Sequence, residues 1–119
     1  MADIKVVNAA DFKFRNDDRS GPKYLRRGPN VDVGMMRLGP GEDMKTHYHN
    51  EVEEIFLTTR GECDIWVDGI KYSVKEGDLL QVPPKAKHYL KNPGPEIWEA
   101  TFIKSPYLPK DKVDVEWMP

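Results

Sequence analysis

A single cysteine, Cys63, stands in a chain of 119 residues. No intrachain disulfide can form, and a metal cage built from thiolates is excluded. A reducing, cytoplasmic setting is the expectation. Long apolar runs are also missing: no stretch approaches the roughly eighteen apolar residues that a spanning helix needs. Met1 to Ala10 carries Asp3 and Lys5 where a secretory leader would be apolar. Neither membrane insertion nor export is expected. Charge of one sign is lacking too, since 18 basic side chains face 20 acidic ones for a net charge of -2. A nucleic-acid partner would call for a basic stripe, and lysines such as Lys85 and Lys87 alternate with neutral residues instead, as on a solvated face. Helical periodicity is the last absence. Ten prolines and nine glycines punctuate the chain, and no amphipathic pattern outlasts about two turns.

What is present is a series of short β-type runs divided by turn residues. The runs are Val31 to Leu38, Thr46 to His49, Glu54 to Thr59, Glu62 to Val67, Ile70 to Val74, Leu79 to Val82, His88 to Lys91 and Trp98 to Ile103. Gly39-Pro40-Gly41, Arg60-Gly61, Asp68-Gly69, Glu76-Gly77-Asp78, Pro83-Pro84 and Pro93-Gly94-Pro95 separate them. Asp68-Gly69, between Ile65-Trp66-Val67 and Ile70-Lys71-Tyr72, predicts a two-residue hairpin turn with positive φ at both positions. Short strands without crossover helices predict one all-β domain, an antiparallel sandwich or small barrel. Residues 1–30 are expected to form an arm or edge strand on the barrel or on a partner subunit, 31–104 the barrel, and 105–119 an extended tail. Tyr107, Leu108, Val113, Val115 and Trp117 would pack that tail.

Chemistry concentrates at three histidines. His47 and His49 are one residue apart, so on a strand both leave the same face, with Tyr48 on the other. If the chain turns near Asn50 and returns, Glu54 comes back beside them with Phe56 and Thr58 on its face. Neutral imidazole with carboxylate suits Mn, Fe, Co, Ni, Cu or Zn, with positions left open for water or substrate. Taken alone, a His-x-His pair on a strand is more often a surface or satisfied polar pair than a site.

The surrounding spacing extends the pattern. Gly41, five residues, His47, one residue, His49, four residues, Glu54, six residues and Gly61 resemble the first cupin motif. Fifteen residues later, Gly77, five residues, Pro83, two further positions, Ala86-Lys87-His88, three residues and Asn92 are similar to the second. One departure is Lys85, where the family pattern has glycine; a positive φ there would cost lysine about 1 kcal/mol unless the turn runs differently through Pro83-Pro84. The resemblance implies a small antiparallel jelly-roll barrel. It further implies one divalent transition metal inside, held by His47, His49, Glu54 and His88. Glu53 is the rival carboxylate, and Gly61 six residues beyond Glu54 favours Glu54.

Strand parity then offers a pocket wall. Phe56 shares a face with Glu54, Leu90 with His88, and Trp98, Ala100 and Phe102 with one another; Met36 is a further candidate. Arg37 would face away on a regular strand and enter the pocket if a bulge reversed parity, while Tyr24 and Arg26 are candidates for the mouth. Cupins that linearise unsaturated uronates carry glutamine and aspartate where this sequence has Glu54 and Ala100, which argues against that activity. The resemblance implies a metal-dependent enzyme on a small oxygen-rich substrate, a sugar derivative or oxo acid. Isomerase, lyase or decarboxylase chemistry would follow, with Glu54 as ligand or base; a dioxygenase and a non-catalytic metal or small-molecule binder are the alternatives. A homodimer is expected, with Phe12, Phe14 or the tail at its interface.

Overall fold

The computed structural model describes residues 4–116, so the expectations placed on Trp117 and on the first three residues lie outside it. Its strands are β1 (Gly21–Arg27), β2 (Asp32–Leu38), β3 (Asp43–Tyr48), β4 (Glu53–Arg60), β5 (Glu62–Val67), β6 (Ile70–Lys75), β7 (Leu79–Val82), β8 (His88–Lys91), β9 (Trp98–Ser105) and β10 (Val113–Asp114). They form two antiparallel five-stranded sheets, ordered β1-β2-β9-β4-β7 and β10-β3-β8-β5-β6. This is the expected all-β jelly-roll barrel. No helix among the described residues is long and apolar enough to cross a membrane.

Side-chain alternation explains why the sheets close on each other. On β2, Asp32, Gly34, Met36 and Leu38 are buried while Val33, Met35 and Arg37 are half-exposed. On β9, Trp98, Ala100 and Phe102 are buried in the same rhythm. The pairing stacks these inward residues in rungs: Pro22, Met36, Ala100 and Thr58 in one, Tyr24, Gly34, Phe102 and Phe56 in the next, and Arg27, Asp32, Lys104 and Glu54 in the last. Apolar rungs thus end in a charged one. Gly34 is required in the middle rung, because a Cβ there would collide with the Lys23 carbonyl and the Phe102 ring. Phe102 instead meets Tyr24 edge-on, with ring centroids 5.1 Å apart.

At the far end from the charged rung, Trp98 is fully buried and donates its indole N–H to Thr58 Oγ1 at 3.1 Å. The buried Asn92 closes the same end by donating to the Leu38 and Glu96 carbonyls, both at 2.8 Å. The predicted hairpin turn joins β5 and β6, with φ of 49° at Asp68 and 83° at Gly69.

The structure adds two strands to the eight runs. β1 is a sheet edge whose alternation is broken by a register shift between Tyr24 and Arg26, and β10 has two residues, too few for any periodicity. Phe14 is buried within its own chain, 3% exposed, beneath the cations of Arg37 and Lys23. Lys85 takes the left-handed conformation after all, with φ of 71°. Its N–H donates to the His49 carbonyl at 2.6 Å, so the strained residue ties the second histidine's strand to the β7–β8 turn.

Candidate metal centre

Both sheets contribute to one cluster. His47 lies on β3 directly opposite His88 on β8, His49 stands just past the end of β3, and Glu54 is on β4 of the facing sheet. A bulge between Met44 and His47 inserts one extra residue against β8. That extra residue leaves both Thr46 and His47 buried and turns the His47 ring toward His88, the re-aiming that bulges commonly perform. The ring centroids of His47 and His88 are 4.2 Å apart.

Each ring is held by a backbone carbonyl. Nδ1 of His47 faces the Lys45 oxygen at 2.9 Å, Nδ1 of His49 the Asp111 oxygen at 2.5 Å, and Nδ1 of His88 the Ala86 oxygen at 3.0 Å. A carbonyl accepts only, so in the neutral rings the proton sits on Nδ1 and Nε2 carries a lone pair. Nε2 of His49 and of His88 then approach Glu54 Oε1 to 3.4 and 3.3 Å. These three atoms are buried and have no hydrogen-bond partner. Acceptors facing acceptors in a dry site are costly, and a cation between them converts the cost into ligation. One ligand atom from each of His47, His49, Glu54 and His88 lies within 4.8 Å of all the others. The four residues therefore fit a divalent metal ion.

Electrostatics favours the ligating protonation states. Burial, with the neighbouring His88, pushes the His47 imidazole down to about 3, which keeps it neutral at ordinary pH. Burial alone would raise the Glu54 carboxyl. A ring N–H of His49 or His88 directed at it, together with the ammonium of Lys104, outweighs burial and holds Glu54 below the usual carboxylate range; with both Nε2 atoms bare, Lys104 and a bound cation are what oppose the burial cost. Glu53, the rival carboxylate, stays outside the cluster and accepts a hydrogen bond from Gln81 Nε2 at 2.8 Å.

Asp111 had no signal in the sequence. Besides orienting His49 through its carbonyl, its carboxylate accepts from the backbone N–H groups of Asn50, Glu51 and Val52 at 2.8, 2.8 and 3.0 Å. One tail residue thus clamps the loop between the second histidine and the glutamate. Such outer partners fix ring orientation and ligand basicity.

A cavity of about 170 Å³ opens beside the cluster. Its apolar wall includes Met36, Met44, Val52, Phe56, Leu90 and Phe102, and its polar rim includes Tyr24, Arg27, Asp32, Lys104 and Lys112. Of the residues singled out from the sequence, Met36, Phe56, Leu90, Phe102 and Tyr24 line this space, whereas Trp98 lies in the core behind it. Arg26 is exposed and away from the lining. Arg37 keeps regular parity on β2 and binds Glu99 on the outer face, Nη2 to Oε2 at 3.0 Å.

Two motifs, a two-sheet barrel and a buried three-histidine, one-carboxylate cluster agree with one further observation: residues 34–104 match the cupin domain model. The chain belongs to the cupin family. The Streptomyces cyaneus protein named polyketide synthase CurC is 30% identical to it over 78 residues, covering 66% of this chain and 51% of that protein. The 3-hydroxyanthranilate 3,4-dioxygenase of Burkholderia cenocepacia is 34% identical over 83 residues, or 65% of this chain and 46% of the enzyme. The cupin thus spans about half the length of these two curated relatives. Among solved structures, KdgF from a Halomonas species superimposes with a TM-score of 0.76 at 16% identity, over 91% of this chain and 97% of that one. That likeness is one of fold.

Proposed function

We propose that this cupin is a metal-dependent enzyme acting on a small, oxygen-rich molecule by Lewis-acid isomerase, lyase or decarboxylase chemistry. The observation that carries the reading is the set of partnerless acceptor atoms of His49, Glu54 and His88 beside a partly apolar cavity that His49 and Glu54 line. A divalent ion bound there supplies a Lewis acid with positions left for substrate oxygens. The chain's own contribution is to orient and to exclude water. Carbonyls of Lys45, Asp111 and Ala86 lock the three rings, Met36, Phe56, Leu90 and Phe102 dry the space, and Glu54 offers a carboxylate within reach of the reacting atoms as ligand or base. The neighbouring cavity weighs against a purely structural site, which would be closed on all sides.

Likeness to the Burkholderia dioxygenase favours a second reading, oxidative cleavage with molecular oxygen. Elemental analysis of protein purified without a metal-affinity tag tests the first premise. About one equivalent of a divalent transition metal is expected, lost in His49→Ala and His88→Ala; no retention under any reconstitution would overturn both readings. Oxygen uptake by Fe(II)-loaded protein with small aromatic and oxo acids then separates the dioxygenase from the Lewis-acid enzyme.

A further inference from the structure

The charged rung that lines the cavity holds a second recognition element. Its four residues alternate in sign across neighbouring strands: Arg27 on β1, Asp32 on β2, Lys104 on β9 and Glu54 on β4. All four line the cavity. Arg27 and the buried Asp32 satisfy each other, Nε to Oδ1 at 3.3 Å. Glu54 is committed to the histidine cluster. Lys104 is left over: among the described residues no carboxylate forms a salt bridge with it, and its ammonium donates to the Tyr24 hydroxyl at 2.8 Å. Its parity on β9 is that of Phe102 and Ala100, so the half-buried side chain enters the cavity instead of leaving for solvent. The faces of Tyr24 and Phe102, with ring centroids 5.3 and 5.5 Å from the ammonium, flank it.

A lysine could be there simply to balance the charge of Glu54. In a metal-loaded site that charge is already taken up by the ion, and the lining is left net positive, with Arg15 adding to Lys104 and the ion while Lys112 pairs with Asp114 at 3.5 Å. An ammonium has three donors, and the Tyr24 hydroxyl uses one.

We infer that Lys104, steadied by Tyr24, anchors a carboxylate of the ligand beside the oxygens that meet the His47, His49, Glu54 and His88 cluster. The inference rests on the reading of that cluster as a metal centre and specifies the substrate class as an oxygen-rich carboxylic acid. Lys104 is on this account a specificity-determining residue, contacting the ligand without contacting the ion.

A matched pair of probes tests it. Catechol and 3,4-dihydroxybenzoate present the same chelating diol, and one of them adds a carboxylate. Calorimetric titration of the Mn(II)-loaded protein should find the carboxylated probe bound about tenfold tighter or more, the worth of a charge-assisted hydrogen bond. Lys104→Met and Lys104→Gln, each brought to the same Mn(II) content as the wild type, should erase that preference; Lys104→Arg should keep it. A preference that survives both neutral substitutions, its absence in the wild type, or no binding of either probe would overturn the inference. Metal content is read on the same samples. A protein that takes up no metal yet shows a Lys104-dependent preference sinks the metal reading and leaves the anchor standing, whereas metal uptake with Lys104-independent binding does the reverse.

Discussion

Replacing Glu54 by glutamine should make the metal-free protein more stable and the metal-bound protein less so. In the wild type Oε1 of Glu54 faces Nε2 of His49 and of His88 at 3.4 and 3.3 Å, and none of the three buried atoms has a hydrogen-bond partner. The glutamine amide brings two N–H donors to the same place. Two hydrogen bonds gained inside a buried site, at about 1 kcal/mol each, stabilise by about 2 kcal/mol, before counting relief from burying a charge. At about 4 °C per kcal/mol for a domain of this size, Tm should rise by about 8 °C. Thermal melts in chelator measure this directly. Adding Mn(II) or Ni(II) to a hundred times its Kd should raise the wild type by about 2.7 kcal/mol and the Glu54→Gln variant by far less, because an amide is a poor substitute for the carboxylate ligand. A variant that melts below the wild type in chelator would refute the proton accounting on which the metal assignment rests. Equal stabilisation of both proteins by metal would refute Glu54 as a ligand.

Three other outcomes follow from named contacts. Asp111→Ala removes the acceptor for the N–H groups of Asn50, Glu51 and Val52 and loosens the carbonyl that orients His49; metal affinity, measured by competition with a fluorescent chelator, should fall about tenfold or more. Lys85→Gly relieves the left-handed φ of 71° and should stabilise by about 1 kcal/mol in urea denaturation, somewhat less if the freed glycine gains entropy in the unfolded chain. Cys63 is fully buried, and burial, with the nearby Asp64, pushes its thiol up to about 12. It should resist a thiol-reactive disulfide reagent in the native protein at pH 8 and react at once on unfolding; fast native labelling would contradict its placement.

Much of the barrel was legible because strand burial leaves a period-two trace. Met36 and Leu38, Phe56 and Thr58, and Trp98, Ala100 and Phe102 alternate with polar or half-exposed neighbours, so their common face could be inferred before any strand was paired. His47 and His49 obey the same parity, and the glycines and prolines bracketing them marked two motifs long enough to be distinctive. β1 escaped this logic: as a sheet edge it buries little, and its bulge interrupts the alternation. Arg37, whose side depended on whether β2 was regular, faces outward because that strand has no bulge in its pairing with β9.

The sequence by itself determined eight of the ten described strands and the donor atoms, since residue type and spacing decide what can pleat, what must turn and what can ligate. Pairing decided the rest. Asp111 stands 62 residues from His49, and no local pattern links them; the tail reaches the site because β10 adds to β3. Trp98 shares a face with Phe102, yet its indole lies in the core behind the cavity, against Thr58. The alternation of Arg27, Asp32, Lys104 and Glu54 exists only across four strands set in register. Such charges come from distant positions, and only the closed sheet makes them neighbours.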